Sequence, residues 1–340
     1  MVVCSLLAAA LAIAAGPSQP TVNVGLASYE FVDSAHADTI RAAIWYPTSG
    51  TARDTMLALQ PLHVALGGPY VPARAPAPAR ALIVISHGTG GDQFGHWDTA
   101  EALARAGYIV ATIRHAGDNS RDHSGLGTDR YLYGRPEQIS RLLDRLLADS
   151  VWAPRIDAHR IGFFGYSAGG FTGLELLGAR PNVQLLQGYC ARHPRDPLYC
   201  AGGLRGRFHL LGRYSPANRD ARIRAVALWA PAFSFLFDSA ALTRVANTRT
   251  PLLVVRGTSD SVVVEPDNVA HLERFLGRLG EFTSVAGAGH YSFLPPCGPE
   301  LARIVPDICV DPPGVSRVAV HRELDSSLVA FFARAWRGRS

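Results

Sequence analysis

Residue 167 is a serine that stands among small residues at a predicted strand-to-helix junction. The apolar run 161–164 precedes it, the helix-like run 171–177 follows it, and the sequence between them is GYSAGG. A serine at such a sharp turn can cap the helix, or it can be a nucleophile whose hydroxyl is lifted clear of its neighbours. The G-x-S-x-G pattern is weak by itself, so the choice depends on residues elsewhere in the chain.

Two further residues could complete a set of groups for nucleophilic chemistry. Asp260 is predicted to end the strand-like run LLVVRGTSD, and His290 to end the run FTSVAGAGH. An alcohol is a poor nucleophile at neutral pH, so Ser167 needs a neighbouring base, and His290 could take its proton. Asp260 could hold the other ring nitrogen of the histidine and stabilise the imidazolium. The chain order serine, aspartate, histidine is that of the α/β-hydrolase triad, which favours catalysis over helix capping.

The segment SHGTGGD (86–92) predicts the remaining part of such a site. It follows a predicted central strand, where hydrolases place one backbone donor to a developing oxyanion. We therefore predict that the backbone N–H groups of Thr89 and Ala168 form an oxyanion hole. His87, in the same segment, is interpreted as a structural residue that braces the loop.

Strand-like runs alternate with amphipathic helices along most of the chain. Residues 50–80 are expected to be irregular, and the alternation begins with the strand ALIVISHG at 81–88. This pattern predicts an α/β fold, with a mostly parallel central sheet and helices on both of its faces. Residues 181–222 interrupt the pattern, and we interpret them as an insertion before the sixth strand. Residues 21–340 are therefore predicted to form a single domain.

Five segments carry a resemblance to known proteins: SHGTGGDQFGHWDTAEALARAGYIV, RHAGDNSRD, DAHRIGFFGYSAGG, VAGAGHYSFLPPC and DPPGVSRVAVHREL. With them the chain resembles the dienelactone-hydrolase-like α/β hydrolases and the bacterial relatives of plasma platelet-activating-factor acetylhydrolase. The resemblance covers most of residues 22–336. It implies an α/β-hydrolase fold and a serine esterase that uses no cofactor and acts on small or short-acyl esters.

The chain departs from these families at two positions. Dienelactone hydrolases proper use a cysteine nucleophile, whereas this chain has Ser167, which argues against dienelactones as substrates. The plasma acetylhydrolase takes its acid from the preceding strand end, where this chain reads ALWAPA and offers no carboxylate. Asp260 is therefore the favoured acid, and Asp238 and Glu265 are its rivals.

Bulky side chains next to the predicted catalytic strand ends are candidates for contact with the substrate. Tyr166, Trp229 and Tyr291 could form an acyl pocket, because each adjoins such a strand end. His115 is also a candidate for lining the pocket. The alternative is that His115 and Asp118, in the segment RHAGDN, only tie down their loop.

The composition is typical of a globular protein and sets limits on its partners. Of 340 residues, 48% are hydrophobic and 18% are charged. The net charge of +5 comes entirely from arginine, since the sequence contains no lysine. Biased codon usage explains that excess as well as function does, so no nucleic-acid partner is predicted. The arginines of the 181–222 insertion are interpreted as a solvated basic surface rather than a site for anionic substrates.

The first residues resemble a secretory signal peptide. An apolar stretch within residues 1–15 ends in Ala12-Ile13-Ala14, a small-x-small cleavage pattern, although no basic residue lies near Met1. A misassigned start codon or a buried first helix are the alternatives. After residue 20 no stretch is long enough to cross a bilayer, so no transmembrane segment is predicted. We predict a periplasmic or secreted protein.

Four cysteines remain once the predicted signal segment is removed, and they form two close pairs. Cys190 with Cys200, and Cys297 with Cys309, are predicted to form two local disulfides, which fits export. Their spacings are not those of zinc sites, so no metal is predicted. Free buried thiols are the alternative if the chain is cytosolic.

Together these features predict a serine carboxylic-ester hydrolase that acts on short-acyl or small-molecule esters through an acyl-serine intermediate. A phospholipase or lipase, or a polyester hydrolase, is the main alternative. A peptidase is less favoured, because the chain has no room for a propeller that selects peptides. A catalytically silent binding module is also less favoured, because such proteins lose triad residues and this chain keeps all three.

Overall fold

A ten-stranded sheet forms the centre of the protein. The computed structural model describes residues 22–71, 79–202, 208–216 and 219–337, and the predicted signal segment 1–15 lies outside these ranges. The strands are β1 (Asn23–Asp33), β2 (Asp38–Thr48), β3 (Arg53–Leu57), β4 (Gln60–Leu66), β5 (Arg80–Ser86), β6 (Ile109–Arg114), β7 (Ile156–Tyr166), β8 (Ile223–Trp229), β9 (Leu252–Gly257) and β10 (Gly280–Val285). They lie in the order β10-β9-β8-β7-β5-β6-β2-β1-β4-β3.

The sheet is mixed, with a parallel block and a partly antiparallel edge. The strands from β10 to β6 in this order pair in parallel, and they are the strands that alternate with helices. Strand β2 pairs antiparallel with β6 and with β1, and β3 pairs antiparallel with β4, whereas β4 runs parallel to β1. The predicted parallel arrangement is thus confirmed for the block whose carboxyl ends carry the candidate site.

The hairpin of β3 and β4 was not expected, and the prediction that residues 50–80 are irregular is wrong for these two strands. Its turn is made by Ala58 and Leu59, both with positive φ, at 47° and 65°. Such a turn normally calls for Asn or Gly. Pro61 lies within β4, where a proline argues against a strand. The local sequence therefore lacks the usual turn residues of a hairpin and has a proline that argues against its second strand.

Helices cover both faces of the sheet, as predicted. The alternation of side chains along β5 shows the two faces: Leu82 and Val84 pack into one core, and Ile83 and Ile85 into the other. The first core contains residues of α2, α3, α4, α5 and α6, and the second contains residues of α1 and α8. The helices are α1 (Trp97–Arg105), α2 (Arg135–Ala148), α3 (Ala168–Leu176), α4 (Leu185–Arg192), α5 (Ser239–Asn247), α6 (Val269–Leu276), α7 (Pro299–Ile304) and α8 (Arg317–Trp336).

The two predicted disulfides are present. Cys190 in α4 is bonded to Cys200, and Cys297 is bonded to Cys309 around α7. The predicted insertion 181–222 lies between α3 and β8, and β8 is the eighth strand rather than the sixth because β3 and β4 precede it. Among the described helices, none has the length and apolar character needed to span a membrane.

Candidate active site

Ser167 occupies a sharp turn between β7 and α3. Its backbone has φ 53° and ψ −116°, a positive-φ conformation that costs energy for any residue with a Cβ. The glycines on either side are required by space: a Cβ on Gly165 would overlap the Gly169 carbonyl, and one on Gly169 would overlap the Ser86 carbonyl. The turn can be this tight only because both positions lack a side chain.

Neighbouring strands hold this turn in place. The Ser167 N–H donates to the carbonyl of Trp229 at 2.9 Å, and the Ser167 carbonyl accepts the N–H of Ala232 at 3.1 Å. A Cβ on Gly170 would lie 2.7 Å from Pro231, so the start of α3 packs directly on the loop after β8. Tertiary contacts thereby stabilise the strained conformation, which is how such strain persists in folded proteins.

The structure brings Ser167, His290 and Asp260 together. The Nε2 of His290 lies 3.0 Å from the Ser167 Oγ, and its Nδ1 lies 2.8 Å from the Asp260 Oδ2. Both distances are those of hydrogen bonds. An ionised carboxylate can only accept, so Nδ1 carries the ring proton and Nε2 is free to accept the hydroxyl proton. This arrangement could remove a proton from Ser167.

Asp260 and His290 lie beyond the strand ends at which the sequence predicts them. Strand β9 ends at Gly257 and β10 ends at Val285, and His290 begins a short 3-10 helix. The Asp260 Oδ1 accepts the N–H groups of Val262 at 2.9 Å and Val263 at 2.7 Å, which leaves Oδ2 for the histidine. Backbone donors therefore fix the carboxylate in the orientation that the imidazole needs.

The rival acids make other contacts. Asp238 caps the start of α5, where its side chain accepts the Ala241 N–H at 2.8 Å. Glu265 accepts the N–H groups of Val269 and Ala270 at the start of α6. Both carboxylates therefore satisfy helix N-termini.

Two backbone segments next to Ser167 carry the predicted oxyanion donors. Ala168 is the first residue of α3, so its N–H has no acceptor within the helix and lies at the positive end of the helix dipole. A Cβ on Gly88 would lie 3.2 Å from the Ser167 Cβ, so the loop that contains Thr89 passes beside the serine. The Thr89 side chain is fixed in turn, because its hydroxyl lies 2.6 Å from the Tyr131 hydroxyl.

A buried ion pair that sequence reasoning missed lies under this loop. Arg135 and Asp118 are each 1% exposed and form a direct salt bridge. Arg135 also donates to the His87 carbonyl, and Asp118 accepts the Gly90 N–H at 2.9 Å. A buried charge pair of this kind costs desolvation energy, so it needs the additional hydrogen bonds seen here. The only local signal was an arginine before Pro136 at a helix start.

His87 and His115 brace the same region. The His115 ring contacts the Ser86 hydroxyl at 2.8 Å and the Gln138 side-chain oxygen at 2.9 Å. His87 accepts the His115 backbone N–H at 3.2 Å. Burial, and then the positive charge of Arg135, hold the pKa of both imidazoles well below the usual 6.5, so both are neutral at physiological pH. His115 is fully buried, so its position supports the alternative that it ties down its loop.

The three bulky candidates for substrate contact occupy different environments. Tyr166 is buried, and its hydroxyl donates to the His290 carbonyl at 3.0 Å. Trp229 is fully buried in the core on the α1 and α8 side of the sheet, where it packs on Phe164. Tyr291 is partly exposed, and its ring centre lies 5.6 Å from that of His290. Of the three, only Tyr291 is placed where a substrate could touch it.

One further group of side chains could hold a metal ion. Asp98, His321 and Asp325 place ligand atoms within 4.8 Å of one another, between α1 and α8. His321 Nδ1 already lies 2.7 Å from an Asp98 carboxylate oxygen, an ion pair that raises the pKa of the imidazole against the effect of burial. The contact therefore joins the two helices as it stands.

Comparison with known proteins supports the fold and adds distant relatives. No family model matches the chain. Among solved structures, it is similar to a ferulic acid esterase from Streptomyces cinnamoneus, with a TM-score of 0.59 and 18% identity, covering 95% of this chain and 92% of that one. The chain has an α/β-hydrolase-like fold. A weaker match is a cold-adapted esterase from an Arctic intertidal metagenomic library, with a TM-score of 0.46 and 14% identity over 86% of this chain and 95% of that one.

The chain is also similar to a curated relative that is described only as an uncharacterized protein. An uncharacterized protein of Mycobacterium tuberculosis, from strains CDC 1551 and H37Rv, is 26% identical over 267 residues. The aligned region spans 74% of this chain and 80% of that protein.

Proposed function

We propose that this protein is a serine hydrolase of carboxylic esters that works through an acyl-serine intermediate. The observation that carries the proposal is the chain of hydrogen bonds from Ser167 through His290 to Asp260, at 3.0 and 2.8 Å. The positive φ of Ser167 adds support, because a strained residue in a candidate site is a reason to propose function there. The similar solved structure from Streptomyces cinnamoneus is described as a ferulic acid esterase, which agrees with ester hydrolysis.

In the proposed first half-reaction, Ser167 Oγ attacks the ester carbonyl carbon while His290 Nε2 takes the hydroxyl proton. Asp260 stabilises the imidazolium without itself becoming protonated. The negative charge that develops on the carbonyl oxygen is bound by the N–H groups of Thr89 and Ala168. His290 then gives its proton to the leaving alcohol, the bond to that alcohol breaks, and an acyl-serine remains.

In the second half-reaction a water molecule takes the place of the alcohol. His290 removes a proton from the water, the hydroxide attacks the acyl carbon, and the proton returns to Ser167 Oγ as the acid leaves. The buried ion pair of Arg135 and Asp118 keeps the oxyanion loop in one position through both steps. All of these steps use side chains, backbone donors and water.

The acyl side of the site is proposed to be short. Phe233 lies in the loop after β8 that holds the Ser167 carbonyl, and its ring centre is 5.7 Å from that of Tyr131. Tyr131 in turn contacts Thr89 through its hydroxyl. Both rings are buried, so an acyl chain that reached this side of the site would have to displace packed side chains.

We also propose that the protein is exported to the periplasm or beyond. The two disulfides support this, because such bonds persist in oxidising compartments. The signal peptide remains a prediction from residues 1–15.

A panel of p-nitrophenyl esters from two to sixteen acyl carbons tests the proposed function. We expect kcat/KM to be highest at two to four carbons, since each methylene that fits adds about 0.8 kcal/mol of burial and each that does not must displace a ring. A phospholipid and an aromatic polyester should be poor substrates. A maximum at eight or more carbons would favour the lipase or polyester alternative, and no hydrolysis of any ester would reject the proposal.

A further inference from the structure

A cavity of about 430 Å³ lies against the loops that carry Asp260 and His290. Ser259, Ser261 and His290 contribute to its lining from these loops. Asp307 and Val310 contribute to it from the segment that follows α7. The cavity is therefore bounded by the candidate catalytic histidine and by a part of the chain that the proposed mechanism does not otherwise use.

The proposed reaction requires the leaving alcohol to be next to His290. The imidazolium must donate its proton to the alcohol oxygen, so that oxygen has to come within hydrogen-bonding reach of Nε2. Nε2 is 3.0 Å from Ser167 Oγ, and His290 is also part of the cavity lining. An alcohol bound there would therefore lie beside a residue that lines the cavity.

The charged groups of the cavity are acidic, although the chain as a whole carries a net charge of +5. Apart from His290, the ionisable side chains with formal charge in the lining are Asp307 and Asp311. The buried Arg317 compensates Asp311, with its Nη2 3.1 Å from Oδ1. Asp307 is exposed and available to a ligand. Burial, followed by the negative charges of Asp260 and Asp307, raises the pKa of Tyr291, so the Tyr291 ring and these carboxylates share one electrostatic environment.

The wall that carries Asp307 is fixed in place. Asp307 lies in a 3-10 turn, Pro306–Ile308, inside the loop that the Cys297–Cys309 disulfide closes. Next to it, Asp311 accepts the Ser292 hydroxyl at 2.7 Å, which ties this wall to the short helix that begins at His290. The carboxylate is thus held relative to the histidine by a covalent bond on one side and a hydrogen bond on the other.

We propose that this cavity binds the alcohol part of the ester and favours alcohols that carry a positive charge, such as a quaternary ammonium group. Asp307 supplies the opposite charge, and the ring of Tyr291 supplies a face on which a cation can rest. Because the inference rests on the proposed function, its test must separate the two.

Two acetate esters of the same shape make the test. Acetylcholine and 3,3-dimethylbutyl acetate share the acetyl group. Acetylcholine has a positively charged nitrogen where 3,3-dimethylbutyl acetate has a neutral carbon. We expect the wild type to favour acetylcholine about fivefold in kcat/KM, the upper end of what a solvent-exposed charge pair contributes. Asp307→Asn should abolish this preference, so that the two esters are hydrolysed with similar kcat/KM. Asp54→Asn removes an exposed carboxylate elsewhere, on β3, and should retain it.

The cysteines give a second, matched comparison. The double variant Cys297→Ser/Cys309→Ser releases the wall and should lose the preference, whereas Cys190→Ser/Cys200→Ser should keep it. Equal rates on the two esters in the wild type, or an unchanged preference in Asp307→Asn, would overturn the cavity assignment and leave the esterase proposal standing. Hydrolysis of neither ester would count against the esterase proposal. Titration calorimetry with choline would then decide on the cavity, since no binding, or equal binding to wild type and Asp307→Asn, would reject it.

Discussion

A side-chain oxygen of Asp118 accepts the backbone N–H of Gly90 at 2.9 Å, and Gly90 directly follows the proposed oxyanion donor Thr89. The same carboxylate pairs with Arg135, which donates to the carbonyl of His87 on the other side of Thr89. The loop is thus held at two points by one buried ion pair. A donor that is fixed before the reaction needs no reorganisation when the oxyanion forms, which is the physical basis of this kind of catalysis.

Asp118→Asn should therefore damage both stability and catalysis. The variant leaves the Arg135 charge buried without its partner, which costs about 3–5 kcal/mol in comparable cases. We expect the free energy of unfolding in urea to fall by that amount. We expect kcat to fall about 10- to 100-fold, because complete loss of one oxyanion donor lowers kcat about 100- to 1000-fold and this variant only loosens the loop that carries it. The KM for a short ester should change little. Unchanged kcat in a folded Asp118→Asn protein would show that the pair does not position the loop.

Asp260 is expected to be the acid of the triad. Asp260→Asn keeps the side-chain shape but stabilises the wrong imidazole tautomer, and in a serine protease this change lowers kcat about 10⁴-fold. Asp238→Asn and Glu265→Gln should keep near-wild-type kcat, because both carboxylates satisfy backbone N–H groups at helix starts. Steady-state kinetics on p-nitrophenyl acetate measure all three. If Asp238→Asn were the inactive variant, the acid would have been assigned to the wrong loop.

Glu175, inside α3, should make the protein less stable as pH rises. Its carboxyl is buried, and burial raises its pKa well above the usual 4.5, although the nearby Arg135 opposes part of the rise. The native state therefore keeps a proton that the unfolded chain releases, so stability falls between pH 4.5 and the raised pKa. Glu175→Gln removes this effect. We expect the variant to match the wild type near pH 4.5 and then to gain about 1.4 kcal/mol over it per pH unit until the raised pKa is reached.

Urea unfolding of both proteins at a series of pH values measures this difference. Glu300→Gln, which changes a surface carboxylate in α7, is the matched control and should follow the wild-type curve. Parallel curves for Glu175→Gln and the wild type would show that the carboxyl is solvated in the folded protein.

The elements that position the site could be predicted from the sequence because their signals are local. The apolar runs of the parallel strands are bounded by turn residues, and the two flanking glycines indicate the tight turn at Ser167. The chain order of Ser167, Asp260 and His290 then placed them at the same edge of the sheet. The exact bounds were less predictable, since Asp260 lies in a loop beyond β9 and His290 begins a short 3-10 helix beyond β10.

What the sequence did not reveal depends on contacts between distant residues. The pair Asp118 and Arg135 joins two segments whose proximity follows only from the fold. The position of Trp229 could have been found, because side chains alternate along a strand. Leu228 faces the side of the sheet that carries α2 and α3, so Trp229 must face the opposite side. The position of Trp229 at the end of a strand nevertheless favoured the prediction that it contacts the substrate.

Covalent labelling of Ser167 tests the central claim most directly. A fluorophosphonate probe reacts with a serine only when a base activates it and an oxyanion hole binds the product. We expect peptide mass spectrometry to find one probe per chain, on Ser167, with labelling and ester hydrolysis both absent in Ser167→Ala while its thermal unfolding stays close to that of the wild type. Hydrolysis at wild-type rate by Ser167→Ala, or a label on another serine, would contradict the assignment of Ser167 as the nucleophile.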